Sequence, residues 1–258
     1  MNTPTIVQRS LAEALGTFIL VFVGSGTAAA AGAYFHLDPA TDVLLVALGL
    51  GLALFAGIMV VGKVSGGHLN PAVTIGLAAV RRFEWADVPG YVVGQAVGAV
   101  VGALLIVVVY GRTGARVAGL GAPSLGAGIG IWQGLVIEGI GTAILVLVIM
   151  GTAVDTRAVA GWAPLAIGLT LAALILSLGI ATGGSVNPAR AFGPDLVATF
   201  FGFRVNWSAF VVSYLIGPLW GGIVAAALYT AVAGLPQPSA ATRVGGARPR
   251  AGEGPDRR

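Results

Sequence analysis

The sequence predicts an all-α integral membrane protein of six transmembrane helices plus two re-entrant half-helices, arranged as two inverted repeats. Three observations carry that prediction. The chain is 57% hydrophobic and only 9% charged, with mean hydropathy +0.93, where a soluble domain is about a quarter charged. Its uncharged runs reach bilayer length. Its second half repeats its first.

Composition also excludes function classes. There is no cysteine, which removes disulfides, thiol catalysis and cysteine-ligated metals. The two histidines, His36 and His68, lie too far apart for a histidine metal cluster, so neither a metal nor a cofactor is expected. The net charge of +4 belongs mostly to the end of the chain, where Arg243, Arg248, Arg250, Arg257 and Arg258 face only Glu253 and Asp256. Residues 235–258 therefore read as a basic, disordered tail, and no nucleic-acid partner follows from it. Residues 1–234 read as one membrane domain, with repeats over about 8–111 and 133–234.

A membrane-crossing helix needs about 20 apolar residues. Val43–Gly62 supplies 20 uncharged residues and Val88–Gly111 supplies 24. Ala158–Ala189 (32) and Val205–Thr242 (38) exceed one crossing. Leu11–Ala31 and Gln133–Ala153 complete the six, each with one buried acid, Glu13 and Glu138. Two stretches, Asn70–Val80 and Asn187–Ala198, are only about half a membrane deep at 1.5 Å per residue. The first span is not a signal peptide, because Glu13 interrupts it and a near copy stands in mid-chain. Six crossings put both termini on one side. That side holds ten of the 14 Lys and Arg residues, so it reads as cytoplasmic and the protein as a multi-pass cell-membrane protein.

The repeat appears in three blocks. Leu11–Ala28 lies over Val136–Ala153 with 10 of 18 positions identical, pairing Glu13 with Glu138. Ser65–Gly76 (SGGHLNPAVTIG) lies over Thr182–Gly193 (TGGSVNPARAFG). Tyr91–Gly111 lies over Phe210–Thr230 at an offset of 119, which pairs Gln95 with Tyr214. Each half holds three spans, an odd number, so the second half starts from the opposite face and the repeats are inverted.

Each short stretch begins with an Asn-Pro-Ala turn: Asn70, Pro71, Ala72 and Asn187, Pro188, Ala189. Asn is a favoured N-cap and Pro a favoured first helical residue. Non-helical backbone at membrane depth is tolerated only when buried in protein or lining a wet cavity. Two half-helices entering from opposite faces meet N-terminus to N-terminus, each carrying about half a positive charge. Cations and migrating protons are repelled there. The amides of Asn70 and Asn187 are expected to donate into the path, and the carbonyls of Gly66, Gly67, His68, Gly183, Gly184 and Ser185 to accept along it. Such a path suits uncharged solutes that both donate and accept.

With its paired HLNPAVT and NPARAFGP strings and a Glu in spans one and four, the chain resembles the aquaporin (major intrinsic protein) family over about residues 8–234. That resemblance implies a homotetramer of passive channels in the lipid bilayer, passing water and small uncharged solutes such as glycerol, without enzymatic activity. It also implies an outer constriction of Leu50, Ile175, Gly184 and Arg190. Independently, a membrane-depth Arg defaults to a functional role. Strict water channels of the family show Phe and His at the Leu50 and Ile175 positions. Glycerol facilitators show aromatics at the Leu50 and Gly184 positions and Asp after the Arg, where this chain has Ala191. An apolar wall beside a small Gly184 suggests a wider opening than a strict water filter.

Glu13 and Glu138 support a rival reading, a secondary transporter that uses them in proton coupling. Their structural reading is as acceptors for loop backbone, bracing the turns. His68 reads as a loop brace or pore-wall hydrogen bonder, with gating as the alternative. Gln95 and Tyr214 read as interhelical hydrogen bonders. An enzyme is disfavoured, since the spans lack clustered catalytic residue types.

Overall fold

The computed structural model describes residues 3–35, 37–117 and 119–236. His36 and the arginine tail lie outside them. Six helices are long and apolar enough to cross a membrane: α1 (Ile6–Phe35), α2 (Pro39–Ser65), α4 (Trp85–Thr113), α5 (Ile131–Val154), α6 (Ala163–Thr182) and α8 (Trp207–Val232). Between them lie the half-helices α3 (Pro71–Ala79) and α7 (Pro188–Phe200). No strand occurs among the described residues. The long run after Ala158 resolves as α6, then a loop over residues 183–187, then α7.

Local chemistry explains the ends of these helices. Thr5 and Gln8 form a capping box on α1. Asp38 caps α2, with Pro39 at its first position. Helices α2 and α6 both stop at a left-handed glycine, Gly66 (φ 94) and Gly183 (φ 79), where a side chain would cost strain. Three of the long spans contain π-helical turns, at Leu20–Ser25 and Ala31–Phe35 of α1, Met150–Val154 of α5 and Phe210–Ile216 of α8.

Glycine lets the spans close on one another as small residues do at membrane interfaces. A Cβ on Gly94 would strike the Ser10 carbonyl oxygen of α1, and one on Gly98 that of Ala14. In the second half, Gly217 sits against the Leu135 carbonyl of α5 and Gly221 against that of Gly139. At the offset of 125 set by the first matched block, Ser10 and Ala14 correspond to Leu135 and Gly139, so Gly94 and Gly98 correspond to Gly217 and Gly221. The half-helices pack across the repeat boundary under the same rule. Gly76 of α3 faces the Gly222 carbonyl of α8, and Gly193 of α7 faces that of Ala99 in α4. Spans three and six therefore superpose at an offset of 123, one helical turn beyond the 119 expected from the sequence. Glycines four residues apart make the pattern nearly blind to a one-turn slide, and backbone contact decides between the two.

Charged side chains gather at the helix ends. Arg9 pairs with Asp87 at 2.9 Å, and Arg82 donates to the Pro236 carbonyl at 2.7 Å. Arg157 pairs with Asp155 and also donates to the Ala233 carbonyl. These contacts put residues near both ends of the described chain at one end of the bundle, as six crossings require. Arg112 meets Phe201, which ends α7, at the other.

Candidate functional site

The two Asn-Pro-Ala turns meet. The Asn70 side-chain amide donates to the Val186 carbonyl, and that of Asn187 donates to the Leu69 carbonyl, both at 2.8 Å. Each Asn oxygen caps its own helix: Asn70 Oδ1 accepts from Ala72 N, and Asn187 Oδ1 from Ala189 N and Arg190 N. Pro71 and Pro188 fill first helical positions, where no N–H is needed. The sequence expectation is corrected in one respect. One amide hydrogen of each Asn locks the opposite loop, which leaves one for the path.

Glu13 and Glu138 hold these loops from behind. Glu13 accepts from Ser65 Oγ (2.6 Å), His68 N (3.0 Å), Leu69 N (2.7 Å) and Gln95 Nε2 (2.7 Å). Glu138 accepts from Thr182 Oγ1 (2.6 Å), Ser185 N (3.0 Å) and Val186 N (2.6 Å). Both acids are wholly buried. Two successive N–H groups can aim at one carboxylate because the chain is left-handed around them, with φ of 66 at Gly67 and 51 at Leu69, and 54 at Gly184 and 46 at Val186. Leu69 and Val186 adopt a strained conformation for such side chains, and the carboxylate bonds over-determine it.

The same geometry spends the loop N–H groups on one side. Among the described residues no donor reaches the carbonyls of Gly66, Gly67, His68, Gly183, Gly184 or Ser185. A backbone C=O seeks a partner, so these six are acceptors left without a protein donor. His68 itself turns away into a brace. Its Nδ1 lies 3.1 Å from Thr74 Oγ1, and its ring packs on Phe83 and Tyr91. Tyr91 OH donates to the Ser65 carbonyl at 2.6 Å, and Tyr214 OH to that of Thr182 at 2.9 Å. Tyr214 is thus the counterpart of Tyr91 and not of Gln95, another mark of the 123 offset. Gln95 bonds Glu13 and Thr74, and its structural counterpart is Pro218.

At the constriction residues, Arg190 is 3% exposed, and its Nε and Nη1 are buried without a protein partner. Leu50 and Ile175 are each 1% exposed. Gly184 abuts Ile175, whose Cα would lie 3.2 Å from a Cβ placed there. Leu50 leans on Gly24 of α1. Gly184 and Ile175 are therefore direct neighbours, with no room for a side chain at position 184 on the side facing Ile175. Two polar residues near this site escaped the sequence reading. Tyr91 was hidden by the one-turn slide. Asp195, 7% exposed on α7, was signalled by being the one acid in a half-helix.

Comparison with known proteins agrees with this geometry. Residues 1–229 match the profile of the major intrinsic protein family. The aquaporin AqpM of Methanothermobacter thermautotrophicus is 41% identical over 239 residues, covering 87% of this chain and 97% of its own. A probable glycerol uptake facilitator protein of Thermotoga maritima is 38% identical, covering 85% and 97%. The aquaglyceroporin from Plasmodium falciparum superposes with a TM-score of 0.78 at 30% identity, over 89% of this chain and 97% of that one. With its two half-helices joined tip to tip and its profile matched almost end to end, the chain belongs to the major intrinsic protein family of passive, non-enzymatic membrane channels.

Proposed function

We propose that this protein conducts water and small uncharged solutes, glycerol among them, through a path along the six unpartnered loop carbonyls, and that it excludes protons and other ions at the joined Asn-Pro-Ala turns and at Arg190. The observation that carries this reading is the crosswise locking of Asn70 and Asn187. It fixes two positive helix ends at one point and leaves acceptors in file on either side. The printed names of relatives, one an aquaporin and one a glycerol facilitator, support both solutes. Leu50, Ile175, Gly184 and Arg190 form the constriction in this reading. Residues 1–234 form the channel, with both termini cytoplasmic, and four copies assemble in the cell membrane. Proton coupling through Glu13 and Glu138 is not carried forward, because loop donors hold both carboxylates.

The test is stopped-flow shrinkage of proteoliposomes in sucrose and in glycerol. Fast water flux and glycerol flux linear in concentration are expected. Saturation at low concentration, or dependence on a pH gradient, refutes a passive channel. Arg190→Ala is expected to raise glycerol and urea permeability several-fold relative to water. Unchanged ratios remove Arg190 from the constriction.

A further inference from the structure

Arg190 is not the only buried charge on α7. Asp195 lies five residues further along the same helix, and among the described residues its carboxylate accepts no hydrogen bond and forms no salt bridge. It lines a cavity of about 770 Å³ together with buried Ala198, Ala209 and Tyr214, and with Arg116 and Arg204, which are exposed. Tyr214 has its proton committed to the Thr182 carbonyl, so it offers the carboxylate no donor. Arg116 and Arg204 line the same cavity but do not pair with Asp195. On the other side, the Arg190 guanidinium has two buried nitrogens without a partner. Glu138 and Asp155, the other buried acids of this half, have direct partners: three neutral loop donors, which leave Glu138 its charge, and Arg157 with Tyr229.

A buried ion left alone is costly, and here two of opposite sign stand on one half-helix, each without a direct partner. Five residues of α-helix span about 7.5 Å. That is too far for an ion pair between the backbone positions and near enough for a Coulombic interaction, moderated where cavity water reaches the carboxylate. We propose that Asp195 is a counter-charge of Arg190, added to Glu138 and unlike it free of direct partners. It offsets the guanidinium charge on the outer side, so the guanidinium offers hydrogen bonds to uncharged solutes without making the outer mouth an anion site. Asp195 is a specificity residue that acts through Arg190 and touches no solute. The cavity behind it admits the water that solvates the carboxylate. This inference rests on Arg190 belonging to the constriction.

The test compares a planar anion with a planar neutral solute. Nitrate and urea permeabilities are measured in the same proteoliposomes, with potassium and valinomycin so that membrane potential does not limit nitrate, and with water flux as the measure of intact channels. Asp195→Asn is expected to raise the nitrate-to-urea ratio on the order of 10-fold while water flux is kept. In an Arg190→Gln background the same change is expected to have no such effect. A ratio that stays at the wild-type value in Asp195→Asn overturns the proposal, and so does an equal rise without Arg190. Should Asp195→Asn lose water flux, Asp195→Glu decides: it keeps the charge and must keep the wild-type ratio, and a raised ratio overturns the proposal. Failure of the underlying constriction reading is distinguishable, because Arg190→Gln alone then leaves both fluxes unchanged.

Discussion

The loops at residues 65–70 and 182–187 share a scaffold and differ in what surrounds it. In both, a hydroxyl and two backbone N–H groups meet one buried carboxylate, a tyrosine holds the residue before the glycines, and an Asn amide crosses to the other loop. In the first loop the neighbouring polar residues brace one another. Gln95 reaches both Glu13 and Thr74, and Thr74 reaches His68 and the Asn70 carbonyl. The second half has Ser185, Ala191 and Pro218 at the positions of His68, Thr74 and Gln95, and Arg190 where the first has Val73. Symmetry supplies the frame, and the function proposed above puts discrimination where the symmetry is broken. The first loop is tied more firmly than the second, and beside the second stands Arg190, with two guanidinium nitrogens buried without a protein partner.

The largest effects test the shared frame. Glu13→Ala strands four donors and Glu138→Ala three, each stranded buried donor costing roughly 1–3 kcal/mol. Both variants are expected to lose most folded protein on size-exclusion chromatography in detergent, with Glu13→Ala the worse. Wild-type melting temperatures in either would remove the carboxylate from the scaffold. Glu→Gln keeps one acceptor oxygen and is expected to be milder at both sites.

Glycine contacts give a smaller effect and decide between the two superpositions of the halves. At an offset of 123, Gly98 and Gly221 are equivalent, and a methyl on either strikes a backbone carbonyl of the facing span. Gly102 then corresponds to Ala225, a position that already carries a methyl in the second half, and a Cβ on Gly102 would lie 3.0 Å from its nearest neighbour. Gly98→Ala and Gly221→Ala are expected to lower the melting temperature by similar, large amounts, and Gly102→Ala by much less. Equal losses for Gly102 and Gly221, with Gly98 tolerant, would restore the offset of 119.

That slide shows where the sequence is legible. Asn-Pro-Ala turns read correctly because Asn capping and Pro at the first position are local chemistry. The acids of the first and fourth spans also read correctly, since a buried carboxylate near irregular backbone has few uses besides collecting its N–H groups. Third-block pairing failed because glycines spaced by four look alike after one turn, and only interhelical contact tells them apart. Asp195 was readable as an anomaly, a lone acid on a half-helix, but its isolation from any partner is a fact of three-dimensional packing.

The mildest effect concerns a contact without a counterpart. Asp155 follows α5 and corresponds to Ala30 in the first half, so its bonds belong to the second half alone. It accepts from the Arg157 side chain and backbone and from Tyr229 OH. These bonds, the Arg157 side chain foremost, hold its carboxyl well below the usual aspartate range. A carboxyl depressed on folding stabilises the protein above its unfolded pKa, near 4, and loses that contribution as pH falls toward the folded value. The Arg157 side chain is 65% exposed, so solvent screens the pair and the effect stays small. Melting curves in detergent should show Asp155→Asn less stable than wild type at pH 7. That gap should narrow steadily as pH falls from about 5 to 3. A gap constant across this range would mean that Asp155 contributes by packing rather than by charge, and that the end of α5 is held to α8 through the Arg157–Ala233 bond alone.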